Sequence, residues 1–273
     1  MSRKLFCEIS PLAYKLSVFK CRTVRHISDF FSREKFAKEK SPKTLPVLIY
    51  KHSSLIRRVL GNTDIRLQEN KAVNLSLSAP LVNTVLIRPG EVFSFWHLVG
   101  NTTKRRGYRE GVTISKSKTV PGVGGGMCQF TNLIHWMVLH TPLDIVEHHH
   151  HDGFDLFPDY NRQVPFGTGT SIVYNYLDYR FKNNTDMTYQ LITYVTDTHL
   201  CGELRAERKL DRKYHIKIEN ERFVREGESI FRKGEVWRTC VDKYTGNVIS
   251  RTLIRENNAK VMYDTSGLTI SEE

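Results

Sequence analysis

The segment from Val120 to His140 reads Val-Pro-Gly-Val-Gly-Gly-Gly-Met-Cys-Gln-Phe-Thr-Asn-Leu-Ile-His-Trp-Met-Val-Leu-His. Residues 127–140 contain no Gly or Pro and are mostly apolar, which predicts a buried helix. Three consecutive glycines lead directly into that helix, and glycine adopts backbone conformations that other residues avoid. The segment therefore predicts a Gly-rich loop that heads the central helix of the fold.

Segments with alternating apolar and polar residues surround this helix and predict strands. Residues 111–123 are expected to form a hairpin, and 171–185 a long strand that pairs back with 189–196. The tail alternates strand-like segments with Gly-containing turns. The predicted fold class is α+β: an N-terminal basic amphipathic helix and a central buried helix headed by a Gly-rich loop and Cys, packed on antiparallel β-hairpins with a C-terminal β-meander.

The positive charge is concentrated at the N-terminus. Residues 1–58 hold 14 Lys/Arg against 4 Asp/Glu, and the rest holds 27 against 25. Because the basicity does not extend across the fold, nucleic acid is an unlikely partner. The predicted domains are a basic helical arm at 1–44, an α+β core at 45–208 and a β-rich extension at 209–273 packed on the core.

The arm is predicted to be a helix over residues 11–38. Ser10-Pro11 is a typical helix start, and apolar residues then recur at three- and four-residue steps. Two interpretations remain open: the helix docks on the body by its apolar stripe, or it makes peripheral contact with an anionic membrane. The residues of the stripe are Leu12, Leu16, Phe19, Ile27 and Phe30.

The sequence also gives indications of the cellular compartment in which the protein is found. No apolar run approaches the roughly 18–20 residues that a membrane-spanning helix needs, and the first 20 residues lack the features of a signal peptide. The cysteines are odd in number and widely spaced, which favours a reducing environment. A cytoplasmic location is expected, with attachment to the inner membrane face as the alternative. The cysteines are at positions 7, 21, 128, 201 and 240.

Cys128 is the predicted nucleophile. It falls in the first turn of the central helix, where free N–H groups and the positive end of the helix dipole stabilise a thiolate and lower its pKa. The backbone of Gly124–Gly126 and Met127, with the Gln129 amide, could then stabilise an oxyanion during acyl transfer. The opposing interpretation is a tight turn that contains a small buried cysteine.

A thiol nucleophile needs a base. His135 lies seven residues along the same helix, about 10 Å away, and is better interpreted as a core residue. In the run 148–151, His149 and His151 share one side of an extended chain with Glu147. We therefore predict His149 or His151 as the base and Asp178 as the carboxylate that orients it.

Zinc is the alternative chemistry for the same residues. Cys128, His149 and His151 are ligand types that zinc accepts, with Asp178 as a further candidate. The chain has no Cys-x-x-Cys or His-Glu-x-x-His motif, so the leading prediction includes no metal and no cofactor.

Four segments of the chain carry a resemblance to a known family: Pro89–Phe95, Pro121–Gln129, Glu147–His151 and Leu177–Asp186. Together they resemble the VanW family, and the resemblance extends over about residues 45–205. It implies a context of vancomycin resistance, antibiotic response and cell-wall metabolism, but no defined reaction. The family's usual Glu-Arg-His-x-His aligns its two histidines with His149 and His151, and His148 replaces the arginine.

Two functional hypotheses follow. The first is a cysteine-dependent hydrolase or acyl/peptidyl transferase that acts on peptidoglycan or its precursor. The alternative is a non-enzymatic module that binds a cell-wall precursor or a partner protein, in which Cys128 is inert within a tightly packed loop.

Overall fold

A computed structural model describes residues 5–57, 64–115, 118–150, 153–159 and 164–272. The first half of the described chain contains all four of its α-helices. The helices are α1 (Pro11–Phe31), α2 (Ile65–Val82), α3 (Phe95–Val99) and α4 (Met127–Val138). Two short 3-10 turns cover Phe6–Glu8 and Lys104–Arg106.

The strands form four sheets within the described residues, and the predicted α+β class is confirmed. Up to α4 the strands are β1 (Lys35–Phe36), β2 (Val47–Leu55), β3 (Val85–Ile87), β4 (Glu91–Ser94), β5 (Glu110–Ser115) and β6 (Lys118–Val123). The later strands are β7 (Asp144–Glu147), β8 (Phe154–Asp155), β9 (Arg180–Lys182), β10 (Tyr189–Val195), β11 (His199–Ala206), β12 (Arg212–Glu226), β13 (Ser229–Asp242), β14 (Val248–Val261) and β15 (Ile270–Glu272). The sheet orders are β1-β4-β9-β7, β2-β11-β10-β3, β15-β12-β13-β14-β8 and β5-β6.

Helix α4 is the predicted buried helix, and it packs against the β2-β11-β10-β3 sheet. Phe130, Ile134 and Met137 on α4 are fully buried. Strand β11 approaches so closely that a Cβ on Gly202 would lie 2.7 Å from Met137 Cε and 2.9 Å from a methyl of Leu133. The missing side chain at residue 202 therefore lets helix and sheet meet without a gap.

The C-terminal meander contacts the far end of α4. Arg238 Nε on β13 donates to the carbonyl of Leu139 at 2.9 Å, and the same guanidinium also binds the carbonyl of Thr141. These carbonyls follow the helix, so the arginine satisfies backbone acceptors that the helix end leaves free. The proposed division into domains stays a prediction.

The prediction of one long strand over residues 171–185 is wrong. Only Arg180–Lys182 is a strand, and a turn closes the region before it, with Val173 and Leu177 bonding each other and Asn175 at φ 46°. Residues 189–195 pair instead with β11 and β3. The alternation of apolar residues in 171–179 comes from a turn whose side chains pack on different neighbours, not from a pleated strand.

The arm begins where the sequence predicts and ends earlier. Ser10 Oγ accepts the Ala13 N–H at 3.1 Å, which caps α1, but the helix ends at Phe31 rather than near residue 38. In the part of the chain that the structure describes, no helix is long and apolar enough to cross a membrane.

Candidate functional site

The Gly-rich loop is shaped by close packing. Gly126 is the N-cap of α4 at φ +109°, and Gly124 has φ +80°, both in the left-handed region that favours glycine. A Cβ at any of the three glycines would also collide with a neighbour. The colliding neighbours are Thr102 for Gly124, the backbone of Gly111 for Gly125 and Lys71 for Gly126.

Asn74 of α2 fixes the conformation of this loop. Its side chain is fully buried, and its Nδ2 donates to the carbonyls of Arg109 and Gly125, both at 2.9 Å. Its Oδ1 accepts the Arg109 N–H at 2.8 Å, and Gly124 N–H also bonds the Arg109 carbonyl at 3.0 Å. The loop that positions Cys128 is therefore clamped between α2 and β5.

Cys128 lies in the first turn of α4, as predicted, but its surroundings differ from the expected ones. Burial raises the pKa of the thiol, and a hydrogen bond from the Ile172 N–H acts in the opposite direction. The expected net lowering of the pKa is therefore wrong for this state of the protein, because loss of hydration outweighs the backbone donor.

The Gln129 side chain forms hydrogen bonds with strand β2. Its Nε2 donates to Ser54 Oγ at 2.8 Å and to the Leu55 carbonyl at 2.9 Å, both on β2. Since its amide donors are committed there, the oxyanion donors available near Cys128 are backbone N–H groups at the start of α4.

Residues 169–172, here called the connecting segment, run alongside α4. Thr170 N–H donates to Asn132 Oδ1 at 2.6 Å, and the Thr170 hydroxyl reaches the Cys128 carbonyl at 3.3 Å. The Ile172 backbone is the donor that opposes the rise in the pKa of the Cys128 thiol. The segment therefore covers the first two turns of the helix.

The other side of the connecting segment contacts the histidine run. His148 Nε2 bonds the Gly169 carbonyl at 3.0 Å, and the His149 carbonyl accepts the Ser171 N–H at 2.7 Å. Four consecutive residues thus connect Cys128 on one side with two histidines on the other. His151 lies outside the described residues.

The carboxylate partner of His149 is Glu147. Their Nε2 and Oε1 atoms are 2.9 Å apart. Glu147 also accepts both guanidinium nitrogens of Arg25 on α1, at 2.7 and 2.6 Å, and the Asp178 N–H at 2.8 Å. Burial opposes ionisation of Glu147, but these donors hold its pKa below the ordinary value.

Asp178, the predicted orienting carboxylate, serves a different part of the structure. It is almost fully buried and accepts the Ser94 hydroxyl at 2.5 Å, the Trp96 N–H at 3.1 Å and Arg180 Nε at 2.8 Å. Arg180 in turn binds both carboxylate oxygens of Asp29 on α1 at 2.7 Å. Asp178 therefore organises the start of α3 and the docking of α1, and its backbone supports Glu147.

His135, dismissed on its distance from Cys128, forms a cluster with the histidine run. Its ring is fully buried 4.1 Å from that of His148, which lies 4.0 Å from that of His150. His135 Nδ1 bonds the Tyr179 hydroxyl at 3.1 Å, and its Nε2 has no hydrogen-bond partner. Burial lowers the pKa of His148 to about 4 and that of His135 well below its usual range.

Sequence reasoning missed Glu147, His135 and His148 as members of the site. Glu147 was used only to define a face of the strand, although a carboxylate two residues from a histidine is a candidate partner. Among the described residues, no group of three or more His, Cys, Asp and Glu side chains is arranged to hold a metal ion.

We expect Gly125→Ala to destabilise the protein by about 2 kcal/mol, because its new methyl would collide with the Gly111 backbone and force the loop to shift. Thermal unfolding measures the effect. Gly267→Ala is the matched control, since a Cβ there meets nothing within 4 Å. Equal melting temperatures for the two variants would contradict the packing argument.

The buried histidines predict pH-dependent stability. Because the folded His148 pKa is about 4 and the unfolded value is about 6.5, the unfolded chain binds more protons between these limits. Stability is therefore full above pH 6.5 and falls as the pH drops toward 4, by roughly 3 kcal/mol for this residue. Thermal melts across this pH range should show a smaller acid-induced loss of stability for His148→Phe than for wild-type protein. The control His215→Phe, at an exposed position, should lose as much stability as wild-type protein. A His148→Phe protein with the full acid loss would contradict the assignment.

Comparison with known proteins gives consistent matches. The model of the family described as VanW like protein matches residues 70–205. The Vancomycin B-type resistance protein VanW of Enterococcus faecalis is 35% identical over 228 residues, which are 84% of this chain and 82% of that protein. The Uncharacterized protein YoaR of Bacillus subtilis is 31% identical over 118 residues, 42% of this chain and 36% of that protein. No solved structure matches the chain.

Proposed function

The chain belongs to the VanW family, and from that premise we propose that it is a cysteine-dependent hydrolase or acyl/peptidyl transferase. Its substrate would be peptidoglycan or a peptidoglycan precursor. The name of the Enterococcus faecalis relative concerns vancomycin resistance, and the resemblance to the family implies a context of cell-wall metabolism. The reaction itself is argued from the site.

One observation carries the proposal. The connecting segment contacts Cys128 through the Thr170 hydroxyl, 3.3 Å from its carbonyl, and through the Ile172 backbone near its thiol. The same segment also bonds His148 and His149. A thiol at the head of a helix, backbone donors and oriented histidines are the parts that nucleophilic acyl transfer requires. The matched region, residues 70–205, contains all of them.

The resting thiol is protonated, because burial raises its pKa. A base must therefore take the proton when a substrate carbonyl approaches. His148 is neutral at pH 7, since its pKa is about 4, and His149 is oriented by Glu147. His148 therefore supplies a neutral imidazole in this part of the fold, and the hydrogen bond to Glu147 fixes the orientation of the His149 ring.

The proposed reaction has two steps. Cys128 Sγ attacks an amide carbonyl, the carbon–nitrogen bond breaks, and the thiol proton passes through a histidine to the departing amine. This leaves a thioester on Cys128. Water then attacks the thioester in a hydrolase, or an amine attacks it in a transferase, and in each case the attacking group's proton restores the thiol.

We expect Cys128→Ala to fold normally and to lose all turnover of isolated peptidoglycan or muropeptides, because no other group can form the thioester. Mass spectrometry of the soluble products measures turnover, and intact-protein mass detects the acyl adduct on wild-type protein. Cys201→Ala is the control, since Cys201 lies on β11 beside Ser53, outside the site. Full turnover by Cys128→Ala would overturn the proposal.

A second candidate function has its own support. The half-buried Cys128, whose thiol pKa is raised by burial, and the tightly packed loop also suit a non-enzymatic module that binds a cell-wall precursor or a partner protein. In that case wild-type protein forms no acyl adduct, and Cys128→Ser binds muropeptides as tightly as wild type in calorimetry. The thioester and the binding isotherm therefore separate the two functions.

A further inference from the structure

Helix α1 is attached to the body by its charged face. Its guanidinium and carboxylate groups make paired contacts with residues near the site, and only Ala13 of the helix is buried. The contacts are Arg25 to Glu147, Asp29 to Arg180, and Arg22 to the carbonyl of Tyr174 at 3.2 Å. The first interpretation of the sequence, docking by the apolar stripe, is therefore wrong.

The apolar stripe of α1 faces away from the body. Leu12 is 67% exposed, Phe19 70% and Phe30 82%, and Leu16 and Ile27 are each 52% exposed. At about 100° per residue, the centre of the stripe lies roughly 120° around the helix from the face that carries Arg22, Arg25 and Asp29. Large apolar side chains in a continuous exposed row mark an interaction surface.

The exposed row continues beyond the helix. Phe6 and Ile9, in and after the preceding 3-10 turn, are 59% and 65% exposed, and Phe31 at the end of α1 is 72% exposed. Exposed apolar side chains therefore occur along the whole of α1 and the turn before it, about 30 Å for the 21 residues of α1 alone.

The charges beside the stripe are positive. Lys15 and Lys20 are exposed and lie roughly 70° to either side of the stripe centre. The one acidic residue of α1, Asp29, is already paired with Arg180. An apolar row flanked by lysines on a helix too polar to span a bilayer is the pattern of a helix that lies in a membrane interface.

We propose that α1 docks the protein on an anionic lipid surface, with the apolar stripe inserted among the acyl chains and Lys15 and Lys20 on the headgroups. The charge complementarity selects anionic lipid over a neutral surface. The Arg25–Glu147 and Asp29–Arg180 pairs hold the helix on the body, so the body is carried to the membrane with α1. This proposal does not depend on a catalytic role for Cys128.

The test measures co-sedimentation of the whole 273-residue chain with lipid vesicles. The neutral vesicles are phosphatidylcholine alone, and the anionic vesicles contain about 30% phosphatidylglycerol, which gives a roughly physiological surface charge. We expect wild-type protein to bind the anionic vesicles at least about tenfold more tightly than the neutral ones, and to lose binding as salt is raised. Equal binding to both vesicle types, or to neither, would overturn the proposal.

A triple variant tests the stripe. Leu12→Ser, Phe19→Ser and Phe30→Ser together should reduce binding to anionic vesicles at least about tenfold without changing the melting temperature, because these side chains contact solvent in the free protein. The matched control replaces Tyr244, Val248 and Ile249, which are exposed in the C-terminal meander, with serine. An equal loss in the control would overturn the assignment to α1.

Self-association is the competing explanation for the exposed row. Light scattering of the free protein would then show a dimer that the triple stripe variant dissociates, and wild-type protein would not bind vesicles. Those two results together would identify a second copy of this chain, and not lipid, as the partner of the apolar stripe. Lys15→Glu with Lys20→Glu gives a further check, since it should weaken binding to anionic vesicles and leave the oligomeric state unchanged.

Discussion

The carboxylate of Glu147 joins three parts of the chain that are distant in sequence. It receives the Arg25 guanidinium from α1, His149 Nε2 from the histidine run and the Asp178 N–H from the segment before β9. A partly buried carboxylate with this many donors stays ionised at neutral pH. If it were lost, helix α1 would lose one of the two ion pairs with the body that the described residues show, and His149 would lose the partner that orients it.

The glycines before Cys128 have a structural explanation that comes before any chemical one. Gly124, Gly125 and Gly126 each exclude a side chain, and Asn74 then fixes the loop through two carbonyls and an N–H. The same packing determines where the N-terminus of α4 points. The N–H groups of Gly124 and Gly125 are bonded to the carbonyls of Arg109 and Gly122, so these two glycines shape the loop and do not donate to an oxyanion. A rigid loop is nevertheless the support that a preorganised oxyanion site at the start of α4 needs.

Helix-start residues and the spacing of apolar residues correctly predicted those elements of the fold that depend mainly on neighbouring residues in the sequence. The Ser10-Pro11 helix start, the 111–123 hairpin and the buried helix that begins near Cys128 are confirmed. The region 171–179 was misassigned, because alternation there reflects a turn at Asn175. Periodicity alone could not reveal the contact of Arg25 with Glu147, since the two residues are 122 positions apart.

The same limit explains why the sequence left two interpretations of α1 open. A helix whose apolar stripe can pack on its own body normally does so, since burial of each large side chain contributes about 1.5–3 kcal/mol. Here the body offers Glu147 and Arg180 to the helix, which match Arg25 and Asp29 and not leucines. The charged pairs therefore fix the orientation of the helix, and the apolar stripe has to face outward. Because Glu147 also binds His149, the helix that presents this stripe is bonded to the same carboxylate that organises the candidate site.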